Sequence, residues 1–186
     1  AVARSRPARC NAGAVMSARP IAGLVLAGGA SRRFGSDKAL AVYRGQTLLD
    51  WAFAAVETRC AAVFLAGREH RRAIAVNDQP GPDMGPLGGI CGGLFAARRR
   101  GFSHVLSVPC DTPALPGSLL DRLIGMRDGG YVAVCPVIAL WPTSLADHLD
   151  DHLRSGRPRA VQAWAVAAGI TPLAWDAPVV NINHPC

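Results

Sequence analysis

The fold of this chain is decided by residues 21–40, which read IAGLVLAGGASRRFGSDKAL. The stretch opens with an apolar run from Ile21 to Leu26, and a short apolar run closed by a glycine pair is typical of a buried strand in an α/β sheet. Gly28 and Gly29 then let the backbone approach a ligand closely. Three cations follow, at Arg32, Arg33 and Lys38. Together these features predict a polyphosphate at the C-terminal end of a parallel strand.

The spacing of this loop excludes two common phosphate-binding motifs. A P-loop needs a lysine directly after a glycine, and no lysine here follows a glycine. The dinucleotide fingerprint G-x-G-x-x-G is also missing from residues 28–35. Residues 26–38 instead match L-A-G-G-x-S-x-R-x-G-x-D-K, which has more fixed positions than a Gly/Arg-rich surface loop would require. This pattern closely resembles the signature of nucleotidyltransferases that release pyrophosphate, and it is most similar to the molybdenum cofactor guanylyltransferases.

Length and charge exclude several classes of protein. With 186 residues the chain is expected to form one domain with a sizeable core. Half of it is apolar, yet no apolar run reaches 18 residues, so no membrane span is expected. The net charge of +7 falls to +3 without the four arginines of the first twenty residues. The sequence has no basic face with interleaved aromatic residues, which is the pattern that would indicate nucleic-acid binding.

The N-terminal residues are predicted to lie outside the folded domain. Residues 1–19 read as a disordered basic tail, and residues 20–186 as the domain. We expect translation to start at Met16 and residues 1–15 to be dispensable. Six cysteines, at positions 10, 60, 91, 110, 135 and 186, form no C-x-x-C pair and have no zinc-like spacing to histidines. Free, mostly buried thiols and a cytoplasmic location are therefore expected.

The remaining pattern alternates strands with helices. Strands are predicted at 21–26, 61–65, 73–76, 104–108, 131–134, 136–141, 170–174 and 179–182, and helices at 48–59, 85–100, 117–127, 144–153 and 160–168. This order predicts a single three-layer α/β/α domain with a mostly parallel, Rossmann-like sheet. The helix from 85 to 100 contains four glycines, which suit either a ligand or a neighbouring backbone at close range.

Polar residues with complementary chemistry follow the predicted strands. They are Lys38, Asp78, Asp111, Asn181 and Asn183, and all could lie at one sheet edge. Arg32 and Lys38 would balance a triphosphate, while a carboxylate such as Asp111 could hold Mg²⁺ beside phosphate oxygens. In-line attack on the α-phosphorus then depends on positioning and charge, without a covalent nucleophile. Each Asp or Asn taken alone could equally be a loop cap or turn residue.

The resemblance to the guanylyltransferases covers about residues 20–185 and implies specific roles. It implies the nucleotide-diphospho-sugar transferase type of fold and two substrates, GTP and molybdopterin. Residues implied to bind GTP are Leu26, Ala27, Gly28, Gly29, Lys38, Asp78 and Asp111, with Asp111 also the Mg²⁺ ligand. Lys38, Asp111 and Arg32 are the expected catalytic residues. Residues expected to face the pterin are Arg159, Asn181 and Asn183.

Two positions depart from the family pattern. Gly67, before Arg68, stands where the family usually has a polar side chain, often Asn, which removes a side-chain contact to the nucleotide. Cys135, before Pro136, stands where the family commonly has His.

Three functions remain open at this point. The first is GMP transfer from MgGTP to molybdopterin, with transient contact to cofactor-synthesis proteins or apo-molybdoenzyme chaperones. The second is the same chemistry with another base or acceptor, such as cytidylyl transfer to molybdopterin or transfer to a sugar phosphate. The third is a non-catalytic cofactor carrier, which would need neither Lys38 nor Asp111. For Lys38 we expect the ammonium to reach the triphosphate rather than a protein carboxylate.

Overall fold

The computed structural model describes residues 20–28 and 37–182 of the chain. Nine strands and five α-helices are described: β1 Ile21–Leu26, β2 Val42–Tyr43, β3 Gln46–Thr47, α1 Leu48–Glu57, β4 Ala62–Ala66, β5 Ile74–Val76, α2 Pro86–Arg99, β6 His104–Pro109, α3 Gly117–Ile124, β7 Gly130–Val132, β8 Cys135–Pro142, α4 Ala146–Arg154, α5 Val161–Ala167 and β9 Thr171–Leu173. Short 3₁₀ turns at Lys38–Leu40 and Thr143–Leu145 precede β2 and α4.

Seven strands form the central sheet, in the order β5-β4-β1-β6-β8-β7-β9. Strand β1 lies near the middle and pairs in parallel with β4 on one side and β6 on the other. Strand β8 runs against its neighbours β6 and β7. A short turn joins β7 to β8, and a connection of this length can only join antiparallel strands. The predicted mostly parallel α/β sheet is therefore confirmed.

Alternate residues of each central strand pack on opposite faces of the sheet. Leu24 and Leu26 of β1 belong to a core that contains residues of α2, α4 and α5. Val25 points the other way, into a core that contains residues of α1 and α3. Since successive side chains of a strand alternate, a strand buried on both faces must be apolar throughout, as β1 is. The result is the predicted three-layer arrangement.

Helix α2 packs very close to the sheet, which explains its glycines. A Cβ on Gly92 would lie 2.0 Å from the carbonyl oxygen of Asn77, just beyond the end of β5. Only a glycine lets the backbone of α2 approach that loop so closely. The sequence predicts that either a ligand or a neighbouring backbone lies close to the glycines of this helix. At Gly92 the close neighbour is the backbone of Asn77.

One predicted strand and the predicted end of one helix are wrong. Residues 179–182, predicted to finish the sheet, form no strand, and Val180 is 46% exposed. The Ile182 N–H donates to the Asp111 carbonyl at 2.8 Å, so this segment lies beside a loop instead of a strand. Helix α3 ends at Ile124, three residues before the predicted end at 127. No helix in residues 20–28 and 37–182 is long and apolar enough to cross a membrane.

Candidate active site

The centre of the site is an ion pair between Lys38 and Asp111. Lys38 Nζ lies 3.1 Å from Asp111 Oδ2, and the two side chains are 26% and 27% exposed. Asp111 follows β6, and the loop that carries it is tied to β1 by a bond from the Cys110 N–H to the Leu26 carbonyl, at 3.0 Å. Thr112 is buried and donates its hydroxyl to the Pro109 carbonyl at 3.1 Å. Two predicted site residues from different segments are thus brought together, and the loop that carries Asp111 is held by these hydrogen bonds.

This contact corrects one expectation from the sequence. The motif predicts that Lys38 reaches phosphate rather than a protein carboxylate, and its ammonium instead contacts Asp111. Lys38, the last residue of the motif, begins a 3₁₀ turn, and this turn directs the side chain across the end of β1 toward the loop after β6. The motif spacing indicates that a cation is present, but its partner lies 73 residues away in sequence.

The end of β1 fits closely against the end of β4. The Ala27 N–H donates to the Ala66 carbonyl at 3.0 Å, which extends the pairing by one residue beyond the strand. At Gly67 the backbone has φ +89°, and a Cβ there would lie 2.3 Å from the Cα of Gly28. A side chain at position 67 would therefore clash with the glycine loop, so the departure from the family pattern has a steric basis here.

A second carboxylate, Asp78, lies after β5 in a different environment. It is partly buried beside α2, and a Cβ on Gly88 would lie 3.0 Å from Asp78 Oδ2. Burial raises the pKa of Asp78, the charge of Asp83 adds to the rise, and a hydrogen bond from the backbone of Met84 opposes it. Such surroundings suit a carboxylate that accepts hydrogen bonds from neutral N–H donors.

The two carboxylates follow strands that are three strand spacings apart in the sheet. Asp78 follows β5 and Asp111 follows β6, with β4 and β1 between them, and all four strands run parallel. Three strand spacings amount to about 14 Å. Both carboxylates therefore lie at the same C-terminal edge of the sheet, where open α/β sheets bind ligands. The prediction that Asp78 and Asp111 share one edge is confirmed.

The predicted pterin residues fall in two places. Asn181 precedes Ile182, whose N–H donates to the Asp111 carbonyl at 2.8 Å, so Asn181 lies near the ion pair. Arg159 is exposed and donates to the Asp83 carbonyl at 3.0 Å, which places it on the Asp78 side. Leu26 is buried, and Gly28 is exposed at the end of β1. Three further predicted site residues lie outside the described part of the chain: Gly29, Arg32 and Asn183.

One residue of the site was missed as a functional candidate. Arg68 Nη2 forms an ion pair with Asp37 Oδ2, which lies 31 positions earlier in the chain. Asp37 belongs to the Gly-x-Asp-Lys part of the motif, and its second carboxylate oxygen accepts the Ala39 N–H at 3.2 Å. In the sequence, the signal for Arg68 is its position after a predicted strand.

Burial disfavours the thiolate form of the nearby cysteines. Burial raises the pKa of the Cys110 thiol to about 11, Asp111 adds to the rise, and Lys38 and Arg68 oppose it. Burial and Asp111 also raise the pKa of Cys135. A thiol with a raised pKa is protonated at neutral pH and reacts slowly. Cys60, Cys91, Cys110 and Cys135 are all free, as the sequence predicts.

The described residues of the site supply few of the ligands that a metal ion would need. Within residues 20–28 and 37–182 no cluster of three or more His, Cys, Asp or Glu side chains is suited to hold a metal. A partly exposed carboxylate, Asp111, stands beside a cation where phosphate is expected. Mg²⁺ commonly binds one or two carboxylates together with substrate phosphates and water, so this donor set is compatible with it.

Solved structures share this fold at low sequence identity. Molybdopterin-guanine dinucleotide biosynthesis protein A from Archaeoglobus fulgidus superposes with a TM-score of 0.60 at 19% identity, covering 83% of this chain and 82% of that one. The 2-C-methyl-D-erythritol 4-phosphate cytidylyltransferase of Thermus thermophilus gives 0.65 at 16% identity, covering 87% and 92%. At such identities the likeness shows the fold alone, which is the predicted one.

Sequence comparison reaches further. A protein of Sinorhizobium fredii named molybdenum cofactor guanylyltransferase is 35% identical over 187 residues, covering 87% of this chain and 86% of that protein. A protein of the same name from Acidiphilium cryptum is 37% identical over 177 residues, covering 86% and 88%. The model of a family described as the MobA-like NTP transferase domain matches residues 23–171. This chain therefore belongs to the MobA-like NTP transferase domain family.

Proposed function

We propose that this chain transfers GMP from GTP to the terminal phosphate of molybdopterin and releases pyrophosphate. The observation that carries the proposal is the 35–37% identity, over more than four fifths of each chain, to proteins named molybdenum cofactor guanylyltransferase. The pair of Lys38 and Asp111 at the C-terminal edge of the sheet supports it. A non-catalytic carrier would have no need for a carboxylate and a lysine held together at that edge.

The proposed reaction is a single displacement at the α-phosphorus of GTP. An oxygen of the terminal phosphate of molybdopterin forms the new P–O bond. The bond from the α-phosphorus to the oxygen that bridges to the β-phosphate breaks, and pyrophosphate leaves. No covalent enzyme intermediate is required, because the rate depends on alignment and charge neutralisation.

Each described site residue has a proposed part in that step. Lys38 leaves Asp111 to bind the triphosphate, and Asp111 becomes free to ligate a metal. Asp111 would hold Mg²⁺, which would supply positive charge to neutralise the phosphates. Gly28, with Leu26 and Ala27, lets the phosphates approach the backbone at the end of β1. Asp78, about 14 Å away by strand spacing, accepts hydrogen bonds from the N–H donors of guanine.

The remaining assignments rest on the family resemblance. Gly29 and Arg32 are proposed to contribute to triphosphate binding, with Arg32 also stabilising charge during transfer. Asn181, Asn183 and Arg159 are proposed to contact the pterin substrate. The proposed compartment is the reducing cytoplasm, because four described cysteines are free thiols. Transient contact with cofactor-synthesis proteins or apo-molybdoenzyme chaperones would deliver the product.

The test is a panel of GTP, CTP, ATP and UTP, each with Mg²⁺ and molybdopterin. Formation of the pterin dinucleotide and of pyrophosphate is measured for each nucleotide. We expect both products with GTP and little of either with the other three. Equal turnover with CTP would assign the cytidylyl reaction instead, and tight binding of the pterin without pyrophosphate release would indicate a carrier. Replacing Mg²⁺ with chelator should stop the reaction.

A further inference from the structure

Arg68 lies where β4 meets the glycine loop. Strand β4 ends at Ala66, and Gly67 follows with its Cα pressed against Gly28. The side chain of Arg68 is 22% exposed, and its Nη2 pairs with Asp37 Oδ2. Arg68 therefore links the end of β4 to the last part of the motif, across the same sheet edge that holds the ion pair of the site.

Asp37 passes this contact on to Lys38. One carboxylate oxygen of Asp37, Oδ2, accepts a hydrogen bond from the Arg68 guanidinium. The other, Oδ1, accepts the Ala39 N–H at 3.2 Å and so caps the 3₁₀ turn Lys38–Leu40. The Ala41 N–H donates to the Lys38 carbonyl at 3.1 Å and closes that turn. The turn in turn directs Lys38 Nζ to Asp111. A continuous series of contacts thus runs from Arg68 to the charged centre.

We propose that Arg68 is a positioning residue of the reaction. Its guanidinium fixes Asp37, Asp37 caps the turn that carries Lys38, and the turn sets the direction in which the lysine ammonium reaches. The inference rests on the proposed function for its kinetic part. Arg68 is assigned no contact with substrate, so its whole effect must pass through Asp37.

A plain surface ion pair and a direct contact with phosphate would each behave differently from a positioning residue. A plain surface ion pair would be worth little, and its loss would leave Lys38 unaffected. A direct contact of Arg68 with phosphate would persist when Asp37 is removed. The charge near the site does not separate these cases, because the positive charges of Arg68 and Lys38 both lower the pKa of the Cys110 thiol. A double-mutant cycle does separate them, because two residues that act through one contact are not additive.

The kinetic test compares Arg68→Ala, Asp37→Ala and the double variant. We expect each single change to lower kcat/KM for GTP by about tenfold, and the double variant to be no worse than the less active single variant. The KM for molybdopterin should stay at the wild-type value, because the contacts lead only to Lys38. Arg68→Lys should restore part of the lost kcat/KM, because lysine keeps a positive charge beside Asp37 but lacks the planar fork of the guanidinium.

The chain offers a direct probe of Lys38 that does not depend on turnover. Of its 20 Lys and Arg residues, Lys38 is the only lysine. Reductive methylation with ¹³C-formaldehyde therefore labels one side chain besides the terminal amine and keeps its positive charge. We expect the NMR signal of labelled Lys38 to shift in Arg68→Ala and in Asp37→Ala, and to shift no further in the double variant.

Arg72→Ala is the matched control from the same connection between β4 and β5. Arg72 binds Glu57 at 2.6 Å and Asp50 at 2.8 Å, so it ties that connection to α1 and not to the motif. This variant should melt at a lower temperature, with an unchanged Lys38 signal and unchanged kinetics.

Three results would overturn the proposal. A Lys38 signal that stays at its wild-type position in Arg68→Ala would mean that the ion pair does not position the turn. Additive losses in the double variant would mean that Arg68 acts on substrate directly. An equal shift in Arg72→Ala would mean that the effect is general destabilisation. If wild type fails to turn over GTP with molybdopterin, the proposed function fails, while the NMR cycle still decides the role of Arg68.

Discussion

Asp111 and Asp78 are two carboxylates at one sheet edge with opposite surroundings. Asp111 follows β6 and has the ammonium of Lys38 at 3.1 Å. Asp78 follows β5, is partly buried beside α2, and has the negative charge of Asp83 nearby. A carboxylate paired with a side-chain cation can bind a metal ion in its place when that cation moves to a phosphate. A carboxylate whose pKa is raised by burial and a like charge is better suited to neutral hydrogen-bond donors. The proposed function uses this difference, with phosphate at the Asp111 end of the edge and the base at the Asp78 end.

The largest effect is expected at Asp111. Asp111→Asn removes the charge that would ligate the metal, and loss of such stabilisation in the transition state costs about 100-fold or more in turnover. The fold should remain, because Asn keeps the size of the side chain and the loop is held by backbone bonds to Leu26 and Ile182. Turnover with MgGTP and the melting temperature are the measurements.

Asp121→Asn is the matched control for that change. Asp121 lies on α3 and pairs with Arg59 at 2.8 Å, well outside the site. The Asp121→Asn variant also loses one negative charge through an Asp-to-Asn substitution, and it should keep turnover at the wild-type level. Near-normal, Mg²⁺-dependent activity of Asp111→Asn would remove Asp111 from the metal site and end the distinction between the two carboxylates.

The second effect concerns Lys38, the partner that sets Asp111 apart. Lys38→Ala should lower kcat/KM for GTP by about tenfold or more, which corresponds to about 1.4 kcal/mol in barrier terms. Lys38→Arg should restore only part of the activity, because a planar fork does not replace a compact ammonium in a tight turn. Since the pair with Asp111 is partly exposed, its loss should lower the melting temperature by only about 1–3 °C.

Steady-state kinetics with GTP and melting of the unliganded protein are measured on both Lys38 variants. Wild-type kinetics together with a much lower melting temperature would show that Lys38 is structural. In that case the phosphate-loop interpretation of residues 26–38 would be wrong, and the pair with Asp111 would serve the fold alone.

The third effect is expected at Asp78 and has opposite signs for binding and stability. Asp78→Asn should weaken GTP binding roughly tenfold, because it replaces an acceptor for charge-assisted hydrogen bonds. The same change should raise the melting temperature of the unliganded protein at neutral pH by about 1–3 °C. The sign follows from the raised pKa: the folded state holds the proton more tightly than the unfolded chain does, so ionisation of Asp78 costs folding free energy.

The pH dependence of that stability gain is a further check. Above the raised pKa of Asp78 the cost is present in full, and it disappears as the pH falls through that pKa and then through the ordinary value for aspartate. The stabilisation of Asp78→Asn over wild type should therefore shrink on acidification. Calorimetric titration with GTP and melting between neutral and acidic pH test both signs. A variant that loses GTP affinity and also melts lower at neutral pH would contradict the description of Asp78.

The fold could be predicted from the sequence because it depends on local patterns. An apolar run such as Ile21–Leu26, closed by glycine, indicates a strand buried on both faces, and polar residues after several such runs meet at one edge in a parallel sheet. The same reasoning fails at residues 179–182, where an apolar pattern continues but the backbone lies beside the Asp111 loop. Periodicity reports burial, and the choice of hydrogen-bond partner depends on the tertiary structure.

The site was predictable in its parts but not in its contacts. Lys38 is identified by its place at the end of the motif, and Asp111 by its place after a strand. The contact between them, however, spans 73 residues of sequence. The pairing of Arg68 with Asp37 and the proximity of Asp83 to Asp78 also depend on how loops fold back on the sheet. Such contacts are set by packing between loops, for which a single sequence holds no periodic signal.

The smallest effect is expected from Asp83, the residue that makes the surroundings of Asp78 negative. Asp83 is exposed and has φ +58°, a conformation that Asn adopts readily, and its carbonyl, which accepts from Arg159, is kept in Asp83→Asn. Removing the charge relieves the repulsion on Asp78, so the pKa of Asp78 should fall toward its usual range and the melting temperature at neutral pH should rise by about 1 °C. The gain should vanish in an Asp78→Asn background, because the two changes then remove the same interaction. An equal gain in both backgrounds would mean that Asp83 acts elsewhere, and that burial alone distinguishes Asp78 from Asp111.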